Sequence, residues 1–141
     1  MKVYAESSAV LAWLLGQDRD RSVRQVLARS ELVIASDLTL IECDRVLHRA
    51  VALGEMREGD AADKRGLLAS VAAHWTQVRL QGEVVDRARQ AFPAEPLRAL
   101  DAIHLATALV VRAAVPGTSL LSLDERIRRS ARELGLSVLP G

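Results

Sequence analysis

Apolar residues fall into two kinds of run along this chain, short continuous blocks and longer stretches spaced at three and four, and the two kinds alternate. The opening block, Lys2 to Ala5, predicts a strand. Ser7 and Ser8 then offer caps for a helix over Ala9 to Leu15, which Gly16 can stop. A second helix is expected over Arg21 to Arg29 and a second strand over Glu31 to Ala35. After Ser36 and Asp37 as caps comes a third helix, Leu38 to Leu53, with Leu40, Cys43, Leu47 and Ala50 on one face and Gly54 at its end. The pattern continues with a helix over Glu58 to His74, a strand over Trp75 to Leu80, and a helix over Glu83 to Phe92 that Pro93 and Pro96 terminate. Asp101 to Arg112 is apolar almost all round and predicts a buried helix. Pro116-Gly117 turns the chain into a strand over Ser119 to Leu123, and a helix over Glu125 to Leu134 and a strand over Leu136 to Leu139 close the order.

Strands that are apolar throughout, taking turns with helices, predict an α/β fold: a mainly parallel sheet of four to five strands covered by helices on both faces. A length of 141 residues fits a single domain, 1–141, able to bury a core without disulfides. No internal repeat or low-complexity stretch interrupts it. No apolar run approaches the roughly 18 residues of a membrane span, and Glu6 interrupts what would have to be the apolar core of a secretory signal. The expectation is a soluble protein without membrane attachment. A single cysteine, Cys43, excludes an intrachain bridge and fits a reducing cytoplasm; among apolar helix residues it reads as a packed, inert thiol.

The net charge is +1, yet every basic residue except Lys2 and Lys64 is arginine. Arginine presents a planar fork suited to phosphate, although GC-rich coding produces the same bias. Arg19, Arg21 and Arg24 on one helix and Arg126, Arg128, Arg129 and Arg132 on another could contact phosphates, but solvated helix faces are the commoner explanation. With two Trp, one Tyr and one Phe, few rings are available to stack on bases. Trp13, Leu14 and Leu15 on the first helix read as core, with part of a partner groove as the alternative.

Four acids carry the chemistry. In open parallel sheets ligands bind beyond the carboxyl ends of strands, and Glu6 and Asp124 each directly follow a predicted strand. Asp124 alone reads as a helix cap. Glu is a poor cap, so with Ser7 and Ser8 available Glu6 is expected to be free for another role. Asp101, His104 and Thr107 break an otherwise apolar helix at three-residue spacing and share a face. His104 reads as a hydrogen-bonded core histidine, whereas a carboxylate on a buried helix, Asp101, requires a cation, either a metal or Arg98. Glu42 taken by itself reads as a surface ion-pair partner of Arg45 or Arg49. Together, four acids without a Cys or His cluster suggest an all-oxygen site for Mg²⁺ or Mn²⁺, ions suited to phosphodiester cleavage.

The motifs that carry these acids resemble those of PIN-domain ribonucleases, specifically the VapC toxins of VapBC toxin–antitoxin pairs, and the resemblance runs the full length. Val3-Tyr4-Ala5-Glu6-Ser7-Ser8 matches the opening strand with its acid and hydroxyls, and Leu38-Thr39-Leu40-Ile41-Glu42 matches the second motif. Leu100-Asp101-Ala102-Ile103-His104-Leu105-Ala106-Thr107-Ala108 matches the third and is the most specific. Leu120-Leu121-Ser122-Leu123-Asp124-Glu125-Arg126-Ile127 matches the fourth, with Ala131 to Leu136 also typical.

The resemblance implies a three-layer α/β/α sandwich and RNA cleavage with Mg²⁺ or Mn²⁺. It makes Glu6, Glu42, Asp101 and Asp124 the metal-site acids, with Ser7 and Ser122 supporting ligands or water. It further implies a VapB-like antitoxin whose tail occupies the groove near the acids, a homodimer, and assembly into a larger toxin–antitoxin complex. One departure stands out: the family usually has Asp where this chain has Glu6, and octahedral Mg²⁺, at about 2.1 Å from its ligands, tolerates little change in reach. That motivates an alternative, a catalytically weak PIN module that binds RNA or protein. A response-regulator-like receiver would need paired acids after the first strand and a lysine near the end of the last, and Lys64 is the last lysine here.

Overall fold

Val3, Tyr4 and Ala5 are all fully buried, although neighbours on a strand point to opposite faces. The first strand is therefore covered on both sides, and the molecule is built outward from it. The computed structural model describes residues 1–16 and 20–141. Its five strands are β1 (Lys2–Ala5), β2 (Leu32–Ser36), β3 (Thr76–Val78), β4 (Thr118–Leu121) and β5 (Val138–Leu139), paired in the order β3-β2-β1-β4-β5. Every pairing is parallel, with Tyr4 opposite Ile34 on one side and Leu120 on the other.

Seven helices are assigned among the described residues: α1 (Ser7–Leu15), α2 (Asp20–Arg29), α3 (Asp37–Ala52), α4 (Glu58–Ala72), α5 (Glu83–Ala88), α6 (Ala99–Ala114) and α7 (Glu125–Glu133). Val3, Ala5 and Leu121 pack with side chains of α1 to α4, among them Val10, Leu14, Val23, Cys43, Leu47 and Leu68. Tyr4, Ile34 and Leu120 face the opposite way, onto Val84, Leu105, Val111 and Ile127 of α5, α6 and α7. This is the three-layer α/β/α arrangement expected from continuously apolar strands. Each fully buried aliphatic side chain contributes about 1.5–3 kcal/mol. Trp13 packs against the first core and pairs with Trp75 at 6.3 Å between ring centroids, in line with its reading as core.

The element boundaries depart from expectation where side chains capture backbone groups. Helix α1 starts at Ser7 because Glu6, not Ser7 or Ser8, is the N-cap, its carboxylate accepting the Ser8 amide at 3.1 Å. Helix α5 ends at Ala88 instead of reaching Phe92, since the Glu95 carboxylate accepts the amides of Phe92 at 3.0 Å and Leu97 at 2.9 Å and holds that segment in a loop. Strand β4 ends at Leu121, two residues early, because the Leu123 amide turns to Ser8 Oγ at 2.8 Å. The edge strands are shorter than predicted: β3 spans Thr76–Val78 and β5 only Val138–Leu139, each pairing on one side alone. Helix α6 extends past both predicted ends.

Candidate active site

Strand β1 sits between β2 and β4, so the chain leaves it toward one neighbour and returns on the other side, which opens a crevice at the carboxyl ends of β1 and β4. Glu6 is the first residue past β1, and its amide donates to the Leu121 carbonyl at 2.9 Å. The residue is 4% exposed. Its Oε2 accepts the Ser122 hydroxyl at 2.7 Å and also that of Ser8, while Oε1 takes the Ser8 amide. The expectation that Glu6 would be free of capping is thus corrected. Ser8 uses its own hydroxyl hydrogen on Glu6 and receives the Leu123 and Asp124 amides, while Ser7 points to Glu42. Neither serine is left to cap.

Glu42 projects from the second turn of α3 into the same crevice. Its Oε1 accepts the Ser7 hydroxyl at 2.7 Å and lies 2.5 Å from His104 Nε2. No ion pair joins it to Arg45 or Arg49 among the described residues, so its reading as a surface partner of those arginines is corrected: its partners are Ser7 and His104. The candidate ligand atoms of Glu6, Glu42 and His104 all lie within 4.8 Å of one another. His104 is 1% exposed and hydrogen-bonded, as a core histidine should be, yet it also stands at the acidic centre. Its three-residue spacing from Asp101 was the visible signal. Thr107, the third polar residue of that face, turns its hydroxyl hydrogen back to the Ile103 carbonyl at 2.7 Å and lies within hydrogen-bonding reach of Tyr4.

Asp101 and Asp124 lie outside this close cluster. Asp101 is buried in the first turn of α6, and its Oδ2 is 3.3 Å from Nε of the largely exposed Arg98. Arg98 is therefore its cationic partner here. Asp124 caps α7 through Oδ1, which accepts the amides of Arg126 at 2.9 Å and Ile127 at 3.2 Å. Its own amide approaches Ser8 Oγ at 3.2 Å and Ser122 Oγ at 3.1 Å, so the cap is fastened to the two serines that hold Glu6. Ser7 and Ser122 support Glu42 and Glu6 respectively; Ser8, read from sequence only as a cap, does as much as either.

Among the arginines considered for phosphate contact, Arg19 lies outside the described residues. Arg21, Arg24, Arg126, Arg129 and Arg132 are exposed, whereas Arg128 is buried and donates to backbone carbonyls.

Burial opposes ionisation of Glu42, but the hydrogen bonds from His104 and Ser7, with the charge of Arg98 adding to them, outweigh it and hold the carboxyl below the ordinary glutamate value. Burial also keeps the Tyr4 phenol well above its usual value, so its hydroxyl retains its hydrogen. For Cys43, burial pushes the thiol up to about 12, with the charges of Glu6, Asp44 and Glu42 adding to the effect. Since the thiolate is the reactive form, a thiol reagent at pH 8 is expected to label Cys43 only after denaturant unfolds the chain. Rapid stoichiometric labelling of the folded protein would contradict this packing.

Two carboxylates converging at this distance repel by a few kcal/mol at the effective dielectric of a protein, and a divalent cation would relieve that repulsion. The donor set, dominated by hard oxygens with one imidazole alongside, fits such an ion.

The PIN domain family matches residues 3–133. Ribonuclease VapC46 of Mycobacterium tuberculosis (strain ATCC 25618 / H37Rv) is 33% identical over 137 residues, covering 97% of this chain and 95% of that protein. Ribonuclease VapC35 of Mycobacterium tuberculosis (strain CDC 1551 / Oshkosh) is 34% identical over 142 residues, covering 99% and 97%. The crystal structure of Mycobacterium tuberculosis VapC20, a sarcin-ricin loop cleaving toxin, superposes with a TM-score of 0.65 over 91% of this chain and 94% of that one; at 13% identity it speaks for the fold alone. A three-layer parallel α/β fold, acids gathered where β1 ends, and near-full-length likeness to two VapC ribonucleases place this chain in the PIN-domain family, beside the VapC proteins.

Proposed function

We propose that the protein is a metal-dependent endoribonuclease, the toxin half of a type II toxin–antitoxin pair, acting in the cytoplasm as a single domain. The observation that carries this reading is the convergence of Glu6 and Glu42 in the crevice past β1, beside a fully buried histidine. Glu6 and Glu42 would hold a divalent ion, Mg²⁺ or Mn²⁺, with Asp101 and Asp124 completing the acidic rim. When bound, that ion supplies an acidified water and neutralises charge on the phosphate. The protein's own residues prepare the place. Ser8 and Ser122 fix both oxygens of Glu6, while Ser7 and His104 fix Glu42 in its ionised form. Arg98 offsets the charge of Asp101 at the solvent side.

A groove of about 600 Å³ runs from Glu42 along α3, lined by Ile41, Arg45, Val46, Arg49 and Leu100. Arg45 and Arg49 follow Glu42 at helical spacings that keep them near one face, where they would take backbone phosphates of an RNA strand. The exposed Ile41 and Leu100 suit the tail of a VapB-like antitoxin covering the same groove. Homodimerisation, and assembly with the antitoxin into a larger complex, belong to the same reading.

Purified protein is expected to cleave RNA only with added Mg²⁺ or Mn²⁺, and a chelator should abolish the activity. Asp101→Asn should lower it by about 10- to 100-fold, the range for groups bordering a metal site. Metal-dependent cleavage that survives this change undiminished would remove Asp101 from the site. A second reading, a PIN module that binds without cutting, is favoured by one observation: both oxygens of Glu6, which stands where the family has Asp, are already engaged by Ser8 and Ser122. Robust chelator-sensitive cleavage by the wild type excludes it.

A further inference from the structure

Behind the two glutamates lies a chain of buried hydrogen bonds that the proposed reaction does not by itself require. Tyr4 OH is 2.8 Å from His104 Nδ1 and 3.0 Å from Ser36 Oγ. On the far side of the ring, His104 Nε2 is 2.5 Å from Glu42 Oε1 and 3.2 Å from Ser7 Oγ. Tyr4, Ser36 and Thr39 are 0% exposed and His104 is 1% exposed, so water does not compete for these groups.

The positions of the hydrogens follow from counting donors. An ionised Glu42 can only accept, and Ser7 spends its hydrogen on the same oxygen, so the hydrogen between Nε2 and Glu42 belongs to Nε2. In the neutral ring that leaves Nδ1 as an acceptor, and Tyr4 supplies its hydrogen there. The Tyr4 oxygen can then receive from Ser36, whose Oγ in turn accepts the Thr39 amide at 3.3 Å. Thr39 spends its own hydroxyl hydrogen on the Ala5 carbonyl at 3.0 Å, so it does not compete for that of Ser36. Every member of the chain is satisfied in one direction, from α3 through β2 and β1 to α6 and back to α3.

We propose that His104 is a positioning residue for Glu42: its ring, oriented by Tyr4 from β1, directs the Nε2 hydrogen at Glu42 Oε1 and so fixes where that carboxylate faces the crevice. The fold explains why the task needs tertiary partners. Glu42 sits on a helix with one exposed side, and Ser7 is its other hydrogen-bond donor among the described residues. A ring locked between Tyr4 and Glu42 ties β1, α3 and α6 together at the point where their chemistry meets. Tyr4 acts at one remove and touches neither acid.

The role proposed for His104 rests on the nuclease reading, but its first test does not. Long-range proton–nitrogen correlation spectra of the ¹⁵N-labelled, metal-free full chain at neutral pH should show a hydrogen on His104 Nε2. In Tyr4→Phe the Nδ1 resonance should move, because that nitrogen has lost its partner. A bare Nε2, or a Tyr4→Phe spectrum unchanged at His104, would overturn the proposal. In RNA cleavage, His104→Gln, which can offer an amide hydrogen where Nε2 stood, should keep more activity than His104→Leu. The Leu variant should lose about tenfold or more in kcat, the scale of one charge-assisted hydrogen bond, with KM little changed. Equal losses in Gln and Leu variants of equal thermal stability would also overturn it. If the wild type cuts no RNA, the nuclease reading fails while the spectra still decide what His104 does.

Discussion

Replacing Glu42 by Gln is expected to lower metal-dependent RNA cleavage by about a hundredfold or more, the cost of removing one electrostatic group from a reacting centre. The change is nearly isosteric, and the amide oxygen can still accept from Ser7 and His104, so the fold itself should be kept. What is lost is the charge. Because the folded state holds the Glu42 carboxyl below its ordinary value, ionised Glu42 contributes stability that is complete above the unfolded-chain pKa. That contribution fades as pH falls through the folded value. Glu42→Gln should therefore melt modestly below wild type at neutral pH, and the gap should close as the pH falls through the folded value. A variant that cleaves RNA at the wild-type rate would take Glu42 out of the site. One that melts far lower at pH 7 would make its role structural.

Arg128→Ala should have the largest effect on stability among the arginines, and for a reason that composition concealed. Arg128 is 5% exposed, although it lies among exposed arginines on α7. Its Nη1 donates to the Ser122 carbonyl at 2.7 Å and to that of Leu139 at 3.1 Å, and Nη2 donates to Pro140 at 2.7 Å. It thus clamps the end of β4 to the last strand, next to the serine that holds Glu6. Truncation removes all three of these bonds, leaving the Leu139 carbonyl only the Ser122 amide at 3.0 Å, and opens a cavity, which together should cost about 3 kcal/mol, or about 10 °C in melting temperature for a domain of this size. Calorimetry or thermal circular dichroism checks this, with Arg129→Ala on the exposed side as the comparison, expected to shift little. Equal small shifts in both variants would mean that the clamp contributes nothing. Since Ser122 is held by the same contact, Arg128→Ala should also reduce cleavage below its melting transition.

The contrast between these two arginines shows where sequence reading stops. Arg126, Arg128, Arg129 and Arg132 form one charged run, and helical periodicity alone does not reveal that Arg128 faces a gap between strand ends. The same holds for Glu6. From sequence, Ser7 and Ser8 were the natural caps and Glu6 the residue left over; in the folded chain both hydroxyls are drawn to carboxylates and Glu6 takes the cap. His104 was legible as buried and hydrogen-bonded, but its partners Tyr4 and Glu42 lie 100 and 62 residues away in the chain. No local pattern encodes such a meeting.

The sequence by itself determined the alternation of strands and helices, the two-sided burial of the sheet, the family motifs and the four acids. These are written in local periodicity and in residue types whose burial is costly. Tertiary structure decided which acids converge. Glu6 and Glu42 meet because β1 ends and α3 begins at the same crevice, whereas Asp101 turns to Arg98 and Asp124 spends its carboxylate on α7. It decided this because a buried carboxylate takes the nearest available donors, and only the folded chain sets which donors those are.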